Sequence, residues 1–285
     1  MYSRCSFWDR LWRNGLTWLA IAFALGPILW VFSASFSPAN TIVGQPLIPT
    51  QLSLEHYRAL FSDPRHPFHL WMWNSVKVAV IAAVLTVALT ALGAYAFSRF
   101  RFQGRRGGLF TLILIQMFPQ MLAMVAIYLL LLEIGRYLPW LGLNTHLGLI
   151  MVYLGGAMGV NTWLMKGYFD TIPRSLEESA MMDGASHLQA FVHIILPLVR
   201  PILTVVFMLS LIGQYSEYIL ARVLLQSTDR FTLPVGMQLF IFNQYDSRWG
   251  IFAAGAILGA IPIVIIFLLV QSQLVSGLTS GAVKE

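Results

Sequence analysis

A carboxylate inside an apolar run is costly unless it is paired or in use, so the search for chemistry starts at Glu217. It stands near one end of the apolar run 198–220, with Gln214 about one turn before it. Ionisable residues in such places are candidates for a solute or proton path. Two readings are open for Glu217: pairing with Arg222, or lining a polar cavity. A second polar group, Gln116, Pro119 and Gln120, interrupts the run 109–132. A proline there frees a backbone carbonyl, and broken helices often border a translocation path; a plain kink with its amides packed against neighbouring helices is the other reading. The third polar group is the stretch IPRSLEESAMMDGASHLQAFVHIILP, 172–197, which carries Glu177, Glu178 and Asp183 between two long apolar runs.

The residue patterns of the common catalytic sites do not occur. A phosphate-cradling loop needs a Gly-Lys pair followed by Ser or Thr, and the chain has no Gly-Lys pair. It also has no Gly-x-Ser-x-Gly and no His-Glu-x-x-His. His66 and His69 are three residues apart in a proline-rich loop with few further ligands near them, so a solvated loop is expected there and no metal site. The single cysteine, Cys5, can form neither an internal disulfide nor a cluster. The chain is expected not to be an enzyme and to bind no cofactor.

These groups are positioned by apolar helices. The chain is 58% hydrophobic and 11% charged, with a mean hydropathy of +0.71, whereas soluble domains are about 25% charged. A bilayer core about 30 Å thick takes roughly 20 apolar residues of helix. Six runs meet this or nearly so: 16–36, 76–97, 109–132, 147–165, 198–220 and 250–270. The expected fold is all-α, a polytopic membrane protein with six transmembrane helices. Lys77 opens the second run and can snorkel outward. Gly155 with Gly159, and Gly255 with Gly259, form Gly-x-x-x-Gly faces for close packing. Of the 18 Lys and Arg residues, the larger share falls on the N-terminal side, with the densest cluster in SRFRFQGRR, 98–106. Positive residues favour the cytoplasm, so both termini and the 172–197 loop are expected there. Loops 37–71 and 221–249 then face outward, with Trp71, Trp73 and Trp249 suited to an interface. The net charge of +6 fits this orientation better than nucleic-acid binding.

The stretch 172–197 reads as two short helices. Pro173 suits a helix start, and Ser175 with Glu178 spells a capping box. Gly184 is a natural stop. Ser186 with Gln189 spells a second box, and Leu188, Phe191, Val192 and Ile195 recur at helical spacing as one apolar face. Pro197 is expected to end the second helix. Two uses are open: an interfacial helix lying against headgroups, or a docking element for a cytoplasmic partner.

The same residues carry a resemblance. Glu178-Ser179-Ala180, three residues, Gly184, nine residues, then Ile194-Ile195-Leu196-Pro197 resembles the signature loop of the membrane subunits of ATP-binding-cassette importers, Ser179 standing for the usual Ala. QYSEYILARVLL, FNQYDSRWGIFAAGAILGAIPI and the tail LVSGLTSGAVKE resemble the smaller permease subunits of the maltose-type carbohydrate importers. The resemblance implies a single transmembrane domain over 1–285 whose helix-turn-helix loop, 172–197, couples to an ATPase through Glu177, Glu178, Ala180, Asp183, Gly184, Ala185, Phe191, Ile194, Leu196 and Pro197. It implies a homologous second permease (MalF-like), a homodimeric ATPase (MalK-like) that uses ATP and Mg, an extracytoplasmic sugar-binding protein, and surrounding lipid in a bacterial cytoplasmic membrane. It implies that Asn243, Gln244 and Tyr245 reach toward the binding protein, against an ordinary polar loop as the other reading. It further implies that the cytoplasmic tail 271–285 adds ATPase contacts through Gly277, Thr279, Ser280 and Gly281. Gln116, Gln120, Gln214 and Glu217 are the candidates for the translocation path. The implied function is ATP-driven sugar import; an ion-coupled transporter, a same-class permease for another solute and a membrane scaffold are the rivals.

Overall fold

The computed structural model describes residues 7–41, 44, 46–49, 51–242 and 247–282; of helix residues 7–10, 120 and 274–282 only the backbone course is described. Regular structure among the described residues is helical throughout. In chain order the helices are α1 (Phe7–Phe36), α2 (Glu55–Ser62), α3 (Phe68–Arg99), α4 (Arg105–Met117), α5 (Gln120–Tyr137) and α6 (His146–Phe169). Then come α7 (Ser175–Met182), α8 (His187–Ala190), a π turn (Phe191–Ile195), α9 (Leu196–Leu198), α10 (Arg200–Tyr215), α11 (Ile219–Leu224), α12 (Leu233–Gln238) and α13 (Trp249–Ala282).

Among the described residues, four helices are long and apolar enough to cross a membrane: α1 over Leu11–Phe36, α3, α6, and α13 over Trp249–Gln273. Two bent pairs, α4 with α5 and His187–Leu198 with α10, make six if each pair counts as one span. Helix α3, with 32 residues, is roughly 48 Å long at 1.5 Å per residue, so it outreaches a bilayer core at its ends. The run 109–132 is not one helix. Pro119 cannot donate a backbone N–H, and α4 and α5 meet there at 99°. The run 198–220 also breaks earlier than expected: α10 stops at Tyr215, leaving Glu217 in the link to α11. The last helix instead runs on through Ala282, past the expected start of a tail at 271.

The chain falls into two compact units, Met1–Phe68 with Gly236–Ile261, and His69–Val235 with Pro262–Glu285. In the first, α1 and α2 are joined by polar contacts and rings. Tyr57 donates to Ser35 Oγ at 2.9 Å, the Phe36 and Tyr57 rings lie 5.2 Å apart, and His56 Nε2 is 2.7 Å from the Ser37 carbonyl. Gly250 is required beneath that imidazole, because an added Cβ would overlap it. His66 is spoken for by Asp63, at 2.8 Å.

In the second unit, α3 is fastened at its start to the segment after α11. Trp71 is fully buried and donates to the Thr228 carbonyl at 2.7 Å, a correction to its expected interfacial place. Trp73 remains 63% exposed. Asn74 donates to the Asp229 and Phe231 carbonyls, and Lys77 reaches back to Asn74 Oδ1 at 3.4 Å. Between α5 and α6, Asn144 takes φ +58°, which asparagine tolerates better than most residues. There its side-chain oxygen accepts from the backbone of Gln226 and Ser227. The Gly155–Gly159 pair splits. A Cβ on Gly159 would run into the Leu112 carbonyl and the Gln116 side chain, while one on Gly155 meets nothing within 4 Å. So of this pair only Gly159 sits at the close approach of α4 to α6. Gly255 in the first unit makes room for Met237.

Gly159→Leu is therefore expected to destabilise the chain by about 1–3 kcal/mol through overpacking, while Gly155→Ala stays near wild type. Thermal unfolding of the purified full chain in detergent checks this, and equal melting of the two variants would refute the close crossing.

Candidate functional site

The link from α6 to α10 is built as a supported turn. Helix α7 ends by two backbone bonds, Gly184 N–H to the Met181 carbonyl at 3.0 Å and Ala185 N–H to the Ala180 carbonyl at 2.9 Å. This pairing requires a left-handed residue at the turn, and Gly184 supplies it with φ +89°. Ser186 then caps α8. Its backbone N–H donates to Gln189 Oε1 at 2.7 Å, and Gln189 N–H donates to Ser186 Oγ at 3.3 Å. The second expected capping box is present.

The first is not. Helix α7 begins at Ser175 with Arg174 before it, and no side chain caps it. Glu178 is exposed, and Glu177 is the acid the fold uses. Its Oε1 lies 2.5 Å from Arg99 Nε, and its Oε2 accepts from the Tyr95 hydroxyl at 3.0 Å. The Arg99 and Glu177 side chains are 7% and 6% exposed. Arg99 also donates to the Ile172 carbonyl at 3.1 Å, and Arg174 donates to the Ser98 carbonyl at 3.0 Å. Ser98 donates to Asp170 at 2.6 Å, and Lys166 pairs with Asp170. Tyr95 and Arg99 are one turn apart at the end of α3, so one helix face grips both the start and the turn of the two-helix element.

Beneath this polar layer is an apolar core. Ala91, Ala94 and Tyr95 of α3 and Met165 and Phe169 of α6 pack with Phe191, Ile195 and Val199. The expected apolar stripe of the second helix therefore divides. Phe191 and Ile195 are buried, but Leu188 is 66% exposed, as is Met182 at 87%. Pro197 does not end the helix. The backbone opens into the π turn just before it, with Leu196 N–H bonding back five residues to the Phe191 carbonyl. That wider register tolerates a proline, which has no N–H to give. The bend of 78° comes later, at Val199. On the outer surface, Asp183, Gly184, Ala185, Gln189, His193 and Ile194 border a shallow cleft of about 370 Å³. Ala180, Ile194 and Leu196 are half-buried, and Pro197 is exposed.

The other expected site residues fall elsewhere. Glu217 does not face Arg222, whose guanidinium lies 5.9 Å over the Phe231 ring. Its carboxylate accepts from Tyr153 at 2.8 Å and from the first backbone N–H groups of α11, Leu220 and Ala221. It borders a cavity of about 290 Å³ with Gln214, Ser210, Asn161 and Tyr153. Ser210 Oγ and Gln214 Oε1 are buried there without a hydrogen-bond partner among the described residues. Gln116 is not in that cavity; it spans α4 to α6, donating to the Gly156 carbonyl and accepting from Val160 N–H. The backbone of Gln120 opens α5, and its side chain lies outside the described residues. So do Asn243, Gln244 and Tyr245, and the side chains of Thr279 and Ser280; of Gly277, Thr279, Ser280 and Gly281 only the helical backbone is described. Sequence reasoning missed Tyr95, Tyr153, Asn161 and Ser210. It read Arg99 only as one charge in a cluster, although its place one turn after Tyr95 at a helix end was visible.

Residues 89–278 match the family described as "Binding-protein-dependent transport system inner membrane component". The chain belongs to this family of inner-membrane transport components. Among relatives, it is 46% identical over 287 residues to a Vibrio vulnificus protein named maltose/maltodextrin transport system permease protein MalG, covering 96% of each chain. It is 46% identical to the Escherichia coli K12 protein of that name, covering 93% of each. Among solved structures, a chain of a bacterial ABC transporter involved in alginate import superposes with a TM-score of 0.74 at 27% identity, over 95% of this chain and 98% of that one. In this family member, then, the recognisable loop motif coincides with the pinned two-helix element.

Removing one partner of a buried ion pair strands the other and costs about 3–5 kcal/mol. Arg99→Met and Glu177→Leu should each destabilise by that order, and the double change by less than either, as read from thermal unfolding. Additive losses would show that the pair does not hold the element. Burial works to raise the Asp170 carboxyl, but hydrogen bonds from Lys166 and Ser98 and the charges of Lys166 and Arg105 hold it below the usual 3.8. A depressed folded-state value stabilises above the ordinary one and is lost as pH falls through the folded value. Asp170→Asn should therefore flatten the loss of stability below about pH 4, measured by unfolding across acid pH.

Proposed function

We propose that this chain is a permease subunit of a binding-protein-dependent, ATP-driven importer for maltose, a maltodextrin or a related oligosaccharide such as trehalose. The observation that carries the reading is 46% identity along 96% of both chains with a protein named for maltose/maltodextrin transport. In this reading six spans cross the membrane: α1, α3, the α4–α5 pair, α6, α10 and α13. Both termini, the arginine loop and the two-helix element lie on the cytoplasmic side. The missing phosphate loop assigns ATP and Mg to partner ATPase subunits, and a homologous second permease completes the path. The two-helix element is the place where those subunits push. Exposed Met182 and Leu188, with Glu178, Asp183 and the cleft at Gly184, form the docking face, while Glu177, Phe191 and Ile195 tie it to the spans. An external binding protein delivers the sugar, and the solute passes the polar cavity at Tyr153, Gln214 and Glu217. Alternating access follows from rocking the spans through this tie.

Gly184→Asp is expected to abolish ATP-driven sugar uptake by cells or proteoliposomes carrying the complete transporter, with the chain still inserted in the membrane. Left-handed backbone strain and an added carboxylate both act at the turn. Wild-type uptake should persist when the proton gradient is collapsed and ATP is maintained. Normal transport by the variant, or loss of wild-type uptake with the gradient, would overturn this reading in favour of a secondary transporter.

A further inference from the structure

A cleft of about 470 Å³ lies beside the two-helix element, bordered by Arg99, Arg105, Arg174, Asp170 and the turn 171–173. Its charges do not balance. Glu177 is taken by Arg99, and Asp170 by Lys166. Among the described residues neither Arg105 nor Arg174 has a carboxylate at ion-pair distance. Each donates to the Ser98 carbonyl instead, at 3.5 and 3.0 Å. A guanidinium carries five N–H donors, so most of the donors of both remain to be used. Arg101, in the link from α3 to α4, and Arg106, in the first turn of α4, are exposed.

The position of the cleft narrows the choice of ligand. Helix α3 ends at Arg99, α6 ends at Phe169 and α4 begins at Arg105. Three apolar helices thus all stop at the cleft, which sets it where hydrocarbon gives way to headgroups. In the link between Arg99 and Arg105, Phe102 is 46% exposed and its ring lies 5.5 Å from that of Phe97. Planar guanidinium forks match phosphate oxygens in geometry and charge. Basic pockets between transmembrane helices bind phosphate-bearing headgroups. A neutral sugar has no use for two unpaired guanidiniums. We propose that this cleft binds the phosphate of an anionic phospholipid headgroup, with Arg105 and Arg174 as its ligands. The inference rests on membrane placement and is independent of which solute is carried.

The test uses the full-length chain with its co-purifying subunits, reconstituted in mixtures of phosphatidylglycerol and phosphatidylcholine. Lipids retained after mild delipidation are counted by native mass spectrometry. The wild type should retain phosphatidylglycerol in preference by about tenfold. The pair Arg105→Gln with Arg174→Gln should lose that preference, while Arg105→Lys with Arg174→Lys keeps most of it, which separates charge from misfolding. Arg136→Gln, on the exposed Glu133 pair, should change nothing. Equal retention of both lipids by the wild type, or a preference that survives the double Gln change, would overturn the proposal. So would thermal protection by inorganic phosphate in phosphatidylcholine alone without any preference for phosphatidylglycerol, since the ligand would then be a free anion.

Discussion

The buried pair of Arg99 and Glu177 is the constraint on which the rest of this half of the molecule depends. Each side chain has left water almost completely, and an unpaired charge in that position would cost several kcal/mol. The two residues therefore hold α3 and α7 together, and every neighbour is arranged around that demand. The Tyr95 hydroxyl fills a remaining acceptor site on the carboxylate, and the Ile172 carbonyl takes a further guanidinium donor. The turn into α7 passes close enough to α3 for Arg174 to reach the Ser98 carbonyl. Below them the ring of Phe191 lies 4.7 Å from that of Tyr95, so the polar layer and the apolar core share a residue. Both parts of the element are thus tied to α3, α7 through the Glu177 carboxylate and the segment after Gly184 through the Phe191 ring.

Breaks in the helices form the second theme, and each has an identifiable cause. Pro119 separates α4 from α5, and the angle between them leaves an apolar cavity of about 750 Å³ that Leu114, Ile127, Leu131 and Gly155 help to line. Pro197 sits just after a π turn, so the hydrogen bond it cannot make is not demanded of it. Ser216 and Glu217 interrupt the link from α10 to α11, and the carboxylate replaces the missing helical acceptors at the start of α11. Ser210 and Gln214, which border the same cavity as Glu217, have buried oxygens without a partner among the described residues. Buried polar atoms of this kind are expensive to leave unmet.

The second helix of the element is divided between two environments. Its buried side, Phe191 and Ile195, joins the core with Ala94 and Phe169. Its open side, with Leu188 and the neighbouring Met182, is apolar and unshielded in the single chain. The chain belongs among inner-membrane components of binding-protein-dependent systems.

Much of this was legible before any coordinates. Long apolar runs dictate helices because a chain in lipid must satisfy its own backbone, so α1, α3, α6 and α13 followed from composition and length. Gly184 and the Ser186–Gln189 box were readable because turn and cap chemistry act within a few residues. What the sequence left open was decided by contacts between residues distant along the chain. Ser175 with Glu178 spells a capping box, yet Arg99, 78 residues away from Glu177, fixes α7 by the neighbouring acid. Local pattern cannot see a partner on another helix. For the same reason Glu217 had two readings, and its pairing with Tyr153 emerged only when α6 and α10 were placed side by side. The sequence by itself determined the helices, the glycine turn and the absence of a nucleotide-binding loop, since those rest on short-range backbone chemistry. The tertiary structure alone decided which carboxylate is buried and which stays free, because desolvation depends on what packs against a side chain and not on its neighbours in sequence.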